Sequence, residues 1–221
     1  MSDDSFFREV NEEIRQEKAR AIWSRYGTAI IALAVLIVIG TAVFVAYEYW
    51  RENQASKSGD EFLAALTLSQ EGKNDEALEA LKAMEGYSYG AYPILAKMRS
   101  GTILAQKGEF DSAVAAFDAV SADTSIPVEI RDIAKLRAGL ILVDHGSYAD
   151  VSARVETLTA EGNALRNSAK EALGLSAWKE GKATDALKLF DEITSDDGAP
   201  RNIRERATML SELIRGSGAA S

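Results

Sequence analysis

The chain has 221 residues, enough for one domain and an appendage, and its 25 basic and 34 acidic residues give a net charge of −9. An acidic surface repels phosphate groups, so nucleic-acid binding is not expected. The chain has no cysteine and one histidine, His145. These counts exclude a thiolate nucleophile and argue against a histidine-based metal or catalytic site.

The N-terminal segment, residues 1–26, carries five basic and six acidic residues. Phe7, Val10 and Ile14 share one stripe at helical spacing, which predicts a short amphipathic helix. Such a helix could contact a membrane-protein partner, although lying at the membrane interface is the simpler alternative.

Residues 27–47 form an uncharged run of 21 residues, rich in Leu, Ile, Val and Ala. About 20 apolar residues span the hydrocarbon core of a bilayer, so this run predicts a transmembrane helix. Trp23 and Tyr26 precede it, and Tyr49 and Trp50 follow it, as expected for aromatic side chains at the two membrane interfaces. A buried core helix is the alternative, but its apolar run would be only about 10–14 residues long.

The orientation of this span depends on the basic residues that flank it. The N-terminal flank has Arg8, Arg15, Lys18, Arg20 and Arg25, whereas the C-terminal flank has Arg51 and Lys57. This bias predicts a single-pass protein of a bacterial inner membrane, with a cytoplasmic N-terminus and a periplasmic C-terminal domain. We expect an uncleaved signal anchor, because the apolar region of a cleaved signal peptide is only about 7–15 residues long.

Residues 48–59 are predicted to be a helical linker, and residues 60–214 contain an internal repeat. Four glycines separated by 36, 38 and 35 residues define its register: Gly72, Gly108, Gly146 and Gly181. A small residue lies seven positions before each glycine and an apolar residue nine positions after it. The small residues are Ala65, Gly101, Gly139 and Gly174, and the apolar residues are Leu81, Phe117, Val155 and Phe190. This spacing is typical of the helix pairs of tetratricopeptide (TPR) repeats.

The repeat pattern also predicts how each helix pair is built. The small residue lets the two helices approach closely, and the apolar residue fills the gap to the next unit. The glycine adopts the left-handed conformation that ends the first helix. An aspartate three or four residues later is expected to cap the second helix: Asp75, Asp111, Asp150 and Asp185.

The segment 127–134 resembles the segment 200–207, so residues 200–214 are predicted to be a first helix without a second. Such a helix would cap the end of a solenoid. Residues 215–221 are expected to be a flexible tail. The predicted fold is therefore all-α, with one N-terminal transmembrane helix followed by a TPR-like α-solenoid of about four helix pairs and a C-terminal capping helix.

The chain resembles the ancillary SecYEG translocon subunits of the YfgM type. The resemblance rests on Arg25-Tyr26-Gly27, the single span, Tyr49-Trp50, Tyr89-Gly90-Ala91-Tyr92, Leu104-Ala105-Gln106 and the degenerate TPR domain. It implies a non-catalytic protein that sits beside the SecYEG translocon. It also implies work with periplasmic chaperones, notably a membrane-anchored prolyl isomerase, on emerging secreted or membrane proteins. A TPR scaffold for cell-envelope or division complexes is the alternative.

The search for chemistry finds no phosphate-binding loop, zinc spacing or nucleophile motif. His145 is expected at the end of a first helix, where it complements the helix dipole. Asp196-Asp197-Gly198 is interpreted as a turn, because the spacing of a calcium-binding loop is missing. We therefore expect no enzyme activity, no cofactor, no metal and no small-molecule substrate.

The groove formed by the first helices of TPR units is the expected binding surface. Counting back from each glycine, the groove positions are mostly apolar: Leu95, Met98, Thr102, Ile133, Leu136, Leu140, Val143, Leu175 and Trp178. An apolar groove would accept a helix or an unfolded apolar segment of another protein. Packing of these side chains against neighbouring helices of the same domain is the alternative.

Overall fold

The computed structural model describes the backbone of residues 3–218, which contains helices and no strand. Side chains are described for residue 12, for residues 14–18 and from residue 20 to residue 218. The helices are α1 (Asp3–Gln70), α2 (Asn74–Tyr87), α3 (Tyr92–Gln106), α4 (Phe110–Ala122), α5 (Val128–His145), α6 (Tyr148–Val155), α7 (Arg166–Lys179), α8 (Ala183–Thr194) and α9 (Arg201–Gly216), with a short 3-10 turn at Glu156–Thr159. The all-α prediction is confirmed.

The chain divides into two compact units, residues 1–54 and 55–221. Within the first unit, α1 carries one stretch long and apolar enough to cross a membrane. Its apolar side chains are not covered by protein, since Leu36, Val38 and Phe44 are each about two-thirds exposed. The predicted amphipathic stripe of Phe7, Val10 and Ile14 falls mostly on side chains outside the described residues.

The second unit contains the helix pairs. The end of α1 packs with α2, and the pairs α3–α4, α5–α6 and α7–α8 follow, with α9 at the end. The packed region begins before residue 60, because Ser58 is only 5% exposed and its hydroxyl accepts a 2.9 Å hydrogen bond from the backbone N–H of Tyr89. Helix α9 extends to Gly216, and residues 219–221 of the predicted tail lie outside the described residues.

Close packing within each pair follows the predicted small and apolar positions. A Cβ added to Gly101 would lie 2.9 Å from the ring of Phe117, and one added to Gly174 would lie 2.9 Å from the ring of Phe190. Both rings are almost fully buried and also contact the first helix of the next unit. Only glycine leaves enough room for these rings, so the helices of a pair can pack closely.

The turn glycines behave as predicted in three units and differently in the other. Gly72, Gly108 and Gly181 have φ values of 81°, 82° and 77°, which side chains of L-residues disfavour. The prediction is wrong for Gly146, whose φ is −126°. Here the ammonium group of Lys179, from the next unit, donates hydrogen bonds to the carbonyls of Val143 and Asp144 at 3.0 and 2.6 Å. The end of α5 is thus capped from outside rather than by a left-handed residue.

The predicted aspartate caps form in one unit only. Ser147 and Asp150 make a reciprocal capping box, with Ser147 N–H donating to Asp150 Oδ2 at 3.0 Å. The prediction is wrong for Asp75, Asp111 and Asp185. They lie in the first turns of their helices without a side-chain cap. Their carboxylates still complement the positive end of the helix dipole.

The resemblance between segments 127–134 and 200–207 extends to the contacts of their arginines. Arg131 Nε donates to the carbonyl of Ile126 at 3.1 Å, and Arg204 Nη2 donates to the carbonyl of Ala199 at 3.0 Å. Each arginine thereby fixes the turn that precedes its own helix. Helix α9 is therefore built like α5, the first helix of a pair, and it closes the solenoid.

Candidate functional site

One open groove lies between α3 and α5, the first helices of consecutive units. It has a volume of about 320 Å³. It is lined by Ile94, Leu95, Met98, Arg99, Thr102, Ile130, Ile133 and Arg137. We call it the α3–α5 groove. Its apolar side chains come from both helices, as expected of a surface that holds another polypeptide.

Four of the predicted groove residues line the α3–α5 groove: Leu95, Met98, Thr102 and Ile133. Leu95 of α3 and Ile133 of α5 both line it, with 41% and 40% of their surfaces exposed. Met98 lies one turn after Leu95 and is partly buried against the core. These side chains leave apolar surface open to solvent at the centre of the groove, and burying it would favour binding.

The other predicted residues lie elsewhere. Val143 is buried in the core, and Leu136 and Leu175 pack against the same cluster. Trp178 packs against the neighbouring cluster around Phe190. Leu140 is 45% exposed but does not line the groove. In the C-terminal units, the apolar side chains of the first helices thus contribute mainly to packing between helices.

Sequence reasoning missed four lining residues: Ile94, Arg99, Ile130 and Arg137. The available signal was helical spacing, because Arg99 follows Leu95 by four residues and Arg137 follows Ile133 by four. Residues four apart lie on the same helix face. By the glycine register the two arginines occupy equivalent positions of consecutive repeats.

Hydroxyl groups are the hydrogen-bond partners of both arginines. Arg99 Nη2 donates to Ser69 Oγ at 3.1 Å, and Arg137 Nη1 donates to Thr102 Oγ1 at 2.9 Å. Arg99 Nε is buried without an acceptor. Within the part of the chain that the structure describes, neither guanidinium forms an ion pair, although most other arginines there do.

A second hollow of about 540 Å³ adjoins the groove at Ile133 and reaches the loop before α7. Glu129 and Asp132 form its acidic wall. Asp132 is already engaged, since its carboxylate pairs with Lys135 at 3.0 Å and accepts a hydrogen bond from Asn163 at 3.1 Å. The surface beside the groove therefore runs from a basic end to an acidic end.

His145 and Asp196, which could suggest catalysis or metal binding, make contacts within the folded chain. His145 stacks on Phe110 of the preceding unit with a centroid separation of 3.4 Å. Asp196 closes a turn and accepts hydrogen bonds from Arg166, Asn167 and the N–H of Gly198. These bonds lower the pKa of Asp196 from 3.8 to about 2, mainly through Asn167 and then Arg166. No group of three acidic or histidine side chains suited to a metal ion occurs among the described residues.

Comparison with known proteins gives two findings. The family model described as "Tetratricopeptide repeat-like domain" matches residues 20–210. The chain is also 27% identical over 198 residues to a protein of Escherichia coli (strain K12) named "Ancillary SecYEG translocon subunit". That alignment covers 83% of this chain and 93% of the relative.

Proposed function

Because this chain belongs to the tetratricopeptide repeat-like domain family, we propose that it is a non-catalytic protein-interaction subunit of the bacterial inner membrane that associates with the SecYEG translocon. The α3–α5 groove is the observation that carries the interaction role, since it leaves Leu95 and Ile133 exposed between two repeat units. The translocon as partner is supported by the printed name of the Escherichia coli relative.

We further propose that residues 27–47 anchor the chain and that the helical-repeat unit lies in the periplasm. The span is supported by the apolar stretch of α1, and the orientation by five basic residues on one flank against two on the other. The chain has no cysteine, so single cysteines can report its orientation. Lys188→Cys should react with a membrane-impermeant maleimide in cells with a permeabilised outer membrane, and Lys18→Cys should not. The reverse result would overturn the orientation.

The partner set extends, in this proposal, to a periplasmic chaperone such as a membrane-anchored prolyl isomerase. Its support is the resemblance to the YfgM-type subunits. An exposed apolar groove suits a component that receives partly folded chains as they leave the translocon, because such chains still expose apolar segments.

In vivo photo-crosslinking tests the proposal. A photoreactive residue is placed at Trp23 or Trp50 to sample the membrane, at Met98 or Ile133 to sample the groove, and at Thr184 as a control outside the groove. We expect translocon subunits from the membrane sites and secreted clients or chaperones from the groove sites. Recovery of division proteins without translocon subunits would favour the scaffold alternative.

A matched set of variants tests whether the groove is the binding surface. Met98→Glu and Ile133→Glu should abolish the crosslinks of the groove, because a charge there opposes burial of an apolar segment. Leu213→Glu is the control, since Leu213 is 54% exposed on α9. Folded Met98→Glu and Ile133→Glu variants that crosslink like the parent chain would contradict the groove assignment.

A further inference from the structure

We infer that the α3–α5 groove binds polypeptide segments in which a side-chain carboxylate lies among apolar residues, and that Arg99 and Arg137 receive this carboxylate. The inference rests on the proposed function and specifies the chemistry of the segment bound. It goes beyond the apolar groove expected from the sequence, because it adds a requirement for negative charge.

The hydrogen bonding of the two arginines carries the first step. A guanidinium has five N–H donors, and the described contacts use one on each side chain, to Ser69 and to Thr102. Arg99 Nε is buried and has no acceptor. The other N–H groups of Arg99 and Arg137 have no described acceptor, and a carboxylate is the acceptor whose geometry fits the planar fork of arginine. The groove therefore holds donor capacity that the chain itself does not use.

Comparison with the other arginines strengthens this step. Arg154, Arg166, Arg206 and Arg215 each have a carboxylate within 3.0 Å. Among the described residues, Arg131 and Arg204 of the helical-repeat unit also lack an ion pair, but each donates to a backbone carbonyl, whereas the described hydrogen bonds of Arg99 and Arg137 go only to hydroxyl groups. Arg99 and Arg137 both line the groove, where a ligand can reach them.

The repeat register carries the second step. Arg99 and Arg137 occupy the same position of the second and third units, whereas the first unit has Leu63 there and the fourth has Ala172. Leu63 is 61% exposed and Ala172 is fully buried. The basic residues therefore occur only in the two units that form the groove. Arg137 also contacts the core there, because its guanidinium carbon lies 5.8 Å from the centroid of the Phe117 ring.

Whether the groove holds an acidic segment depends on two electrostatic interactions, the repulsion by the net charge of the chain and the local pairing with arginine. The net charge of the chain opposes approach, but at physiological ionic strength charges beyond about 8 Å are largely screened. A direct pair between arginine and carboxylate at the edge of an apolar groove is screened much less. Local pairing therefore outweighs the general repulsion once the apolar side chains are seated.

Peptide binding to the full-length chain in lipid nanodiscs tests the inference, with empty nanodiscs as the blank. The probes are two short fluorescent peptides rich in leucine and phenylalanine, one containing two glutamates and the other glutamine at those positions. We expect the glutamate peptide to bind about tenfold more tightly in fluorescence anisotropy, the difference expected from one charge-assisted contact. Higher salt should reduce this difference.

Variants assign the effect to the groove. Arg137→Gln should bind both peptides about as weakly as the parent chain binds the glutamine peptide. Arg99→Gln should do the same, with its folding checked by circular dichroism because Arg99 contacts Ser69. Arg201→Gln is the matched control, since its side chain is 92% exposed on α9, and it should retain the preference for glutamate.

Each contrary outcome has a distinct meaning. Equal binding of the two peptides would overturn the inference and leave the apolar groove of the proposed function standing. A preference for glutamate that survives in Arg137→Gln would also overturn it, because the carboxylate would then bind elsewhere. Absence of binding by either peptide would overturn the inference, while the crosslinking experiment would still decide the proposed function independently.

Discussion

Two regions of the helical-repeat unit, around α3–α5 and around α7–α9, use charged residues in opposite ways. Around α7–α9, Glu171 is 8% exposed and pairs with Arg206 through two oxygens at 2.6 and 2.7 Å. Arg166 likewise pairs with Asp196. Around α3–α5, the charged residues Arg99 and Arg137 line an open groove, and among the described residues their hydrogen bonds go only to hydroxyl groups.

This difference separates the parts of one repeat architecture by role. In the C-terminal units the charges join one helix to another, and the apolar side chains Leu175 and Trp178 pack between helices. In the second and third units, Leu95, Ile133 and Leu140 remain exposed. A uniform repeat can thus contain a closely packed region and an open groove, because each unit contacts only its neighbours.

The largest expected loss of stability tests a feature that both regions share, a buried phenylalanine ring packed on a glycine. Phe117→Ala and Phe190→Ala should each lower the free energy of unfolding by about 3–5 kcal/mol, because each removes an almost fully buried ring packed on a glycine. Urea denaturation of the full-length chain, followed by circular dichroism, measures this. Leu213→Ala, at an exposed position, is the control. A negligible effect of Phe117→Ala would mean that the region around α3–α5 is loosely packed.

The next largest effect tests how the two regions differ in the partners of their arginines. Glu171→Gln should lower the free energy of unfolding by about 1–2 kcal/mol, because Arg206 loses a two-pronged ionic partner while remaining half exposed to water. Hydrogen exchange should become faster in α9. Arg137→Gln should lower the free energy of unfolding by less, about 0.5–1 kcal/mol, because it removes a hydrogen bond to Thr102 and a contact with the Phe117 ring but no ion pair. Equal losses in the two variants would remove the distinction drawn here.

A smaller effect is expected at the turn between α5 and α6, which lies between the two regions along the chain. Ser147→Ala removes the capping box and should cost about 1 kcal/mol. Asp111→Asn, in the turn that lacks such a box, should stay within about 0.5 kcal/mol of the parent chain. Thermal denaturation compares the two. A loss in Asp111→Asn as large as that in Ser147→Ala would mean that both aspartates cap their helices.

The smallest effect is expected from acid, because the Arg166–Asp196 pair is partly exposed and solvent weakens it. The pKa of Asp196 is lowered to about 2 in the folded chain from an ordinary value of 3.8. Its contribution to stability is therefore complete above pH 3.8 and is lost as the pH falls through about 2. The stability gap between the parent chain and Asp196→Asn should close over this range. Asp197→Asn, at an exposed neighbour, is the control for the loss of one carboxylate.

Some features of the candidate site could be predicted from the sequence. The glycine register placed Leu95, Met98 and Ile133 on the first helices of neighbouring units, and the structure brings these three together. The same register included Val143 and Trp178, which pack into the core. The pattern of one helix identifies the side chains on a face, but the packing of the neighbouring units determines whether that face is covered.

The hydrogen-bond partners of Arg99 and Arg137 and the conformation of the turn at Gly146 depend on contacts between residues distant in the sequence. Arg99 and Arg137 were visible in the sequence, but only the folded chain shows that they bond to hydroxyl groups whereas Arg154 and Arg215 pair with carboxylates. Gly146 departs from its equivalents because Lys179, more than thirty residues later, caps the helix before it.

The sequence by itself determined the helical class, the membrane-length apolar run and the period of the repeat. These features follow from local composition and spacing, which set the hydrophobic face of each helix and the close approach at Gly101 and Gly174. Only the tertiary structure decided where the units close against each other and where they leave a groove. That outcome depends on how side chains from different units fill the space between helices, which no local pattern specifies.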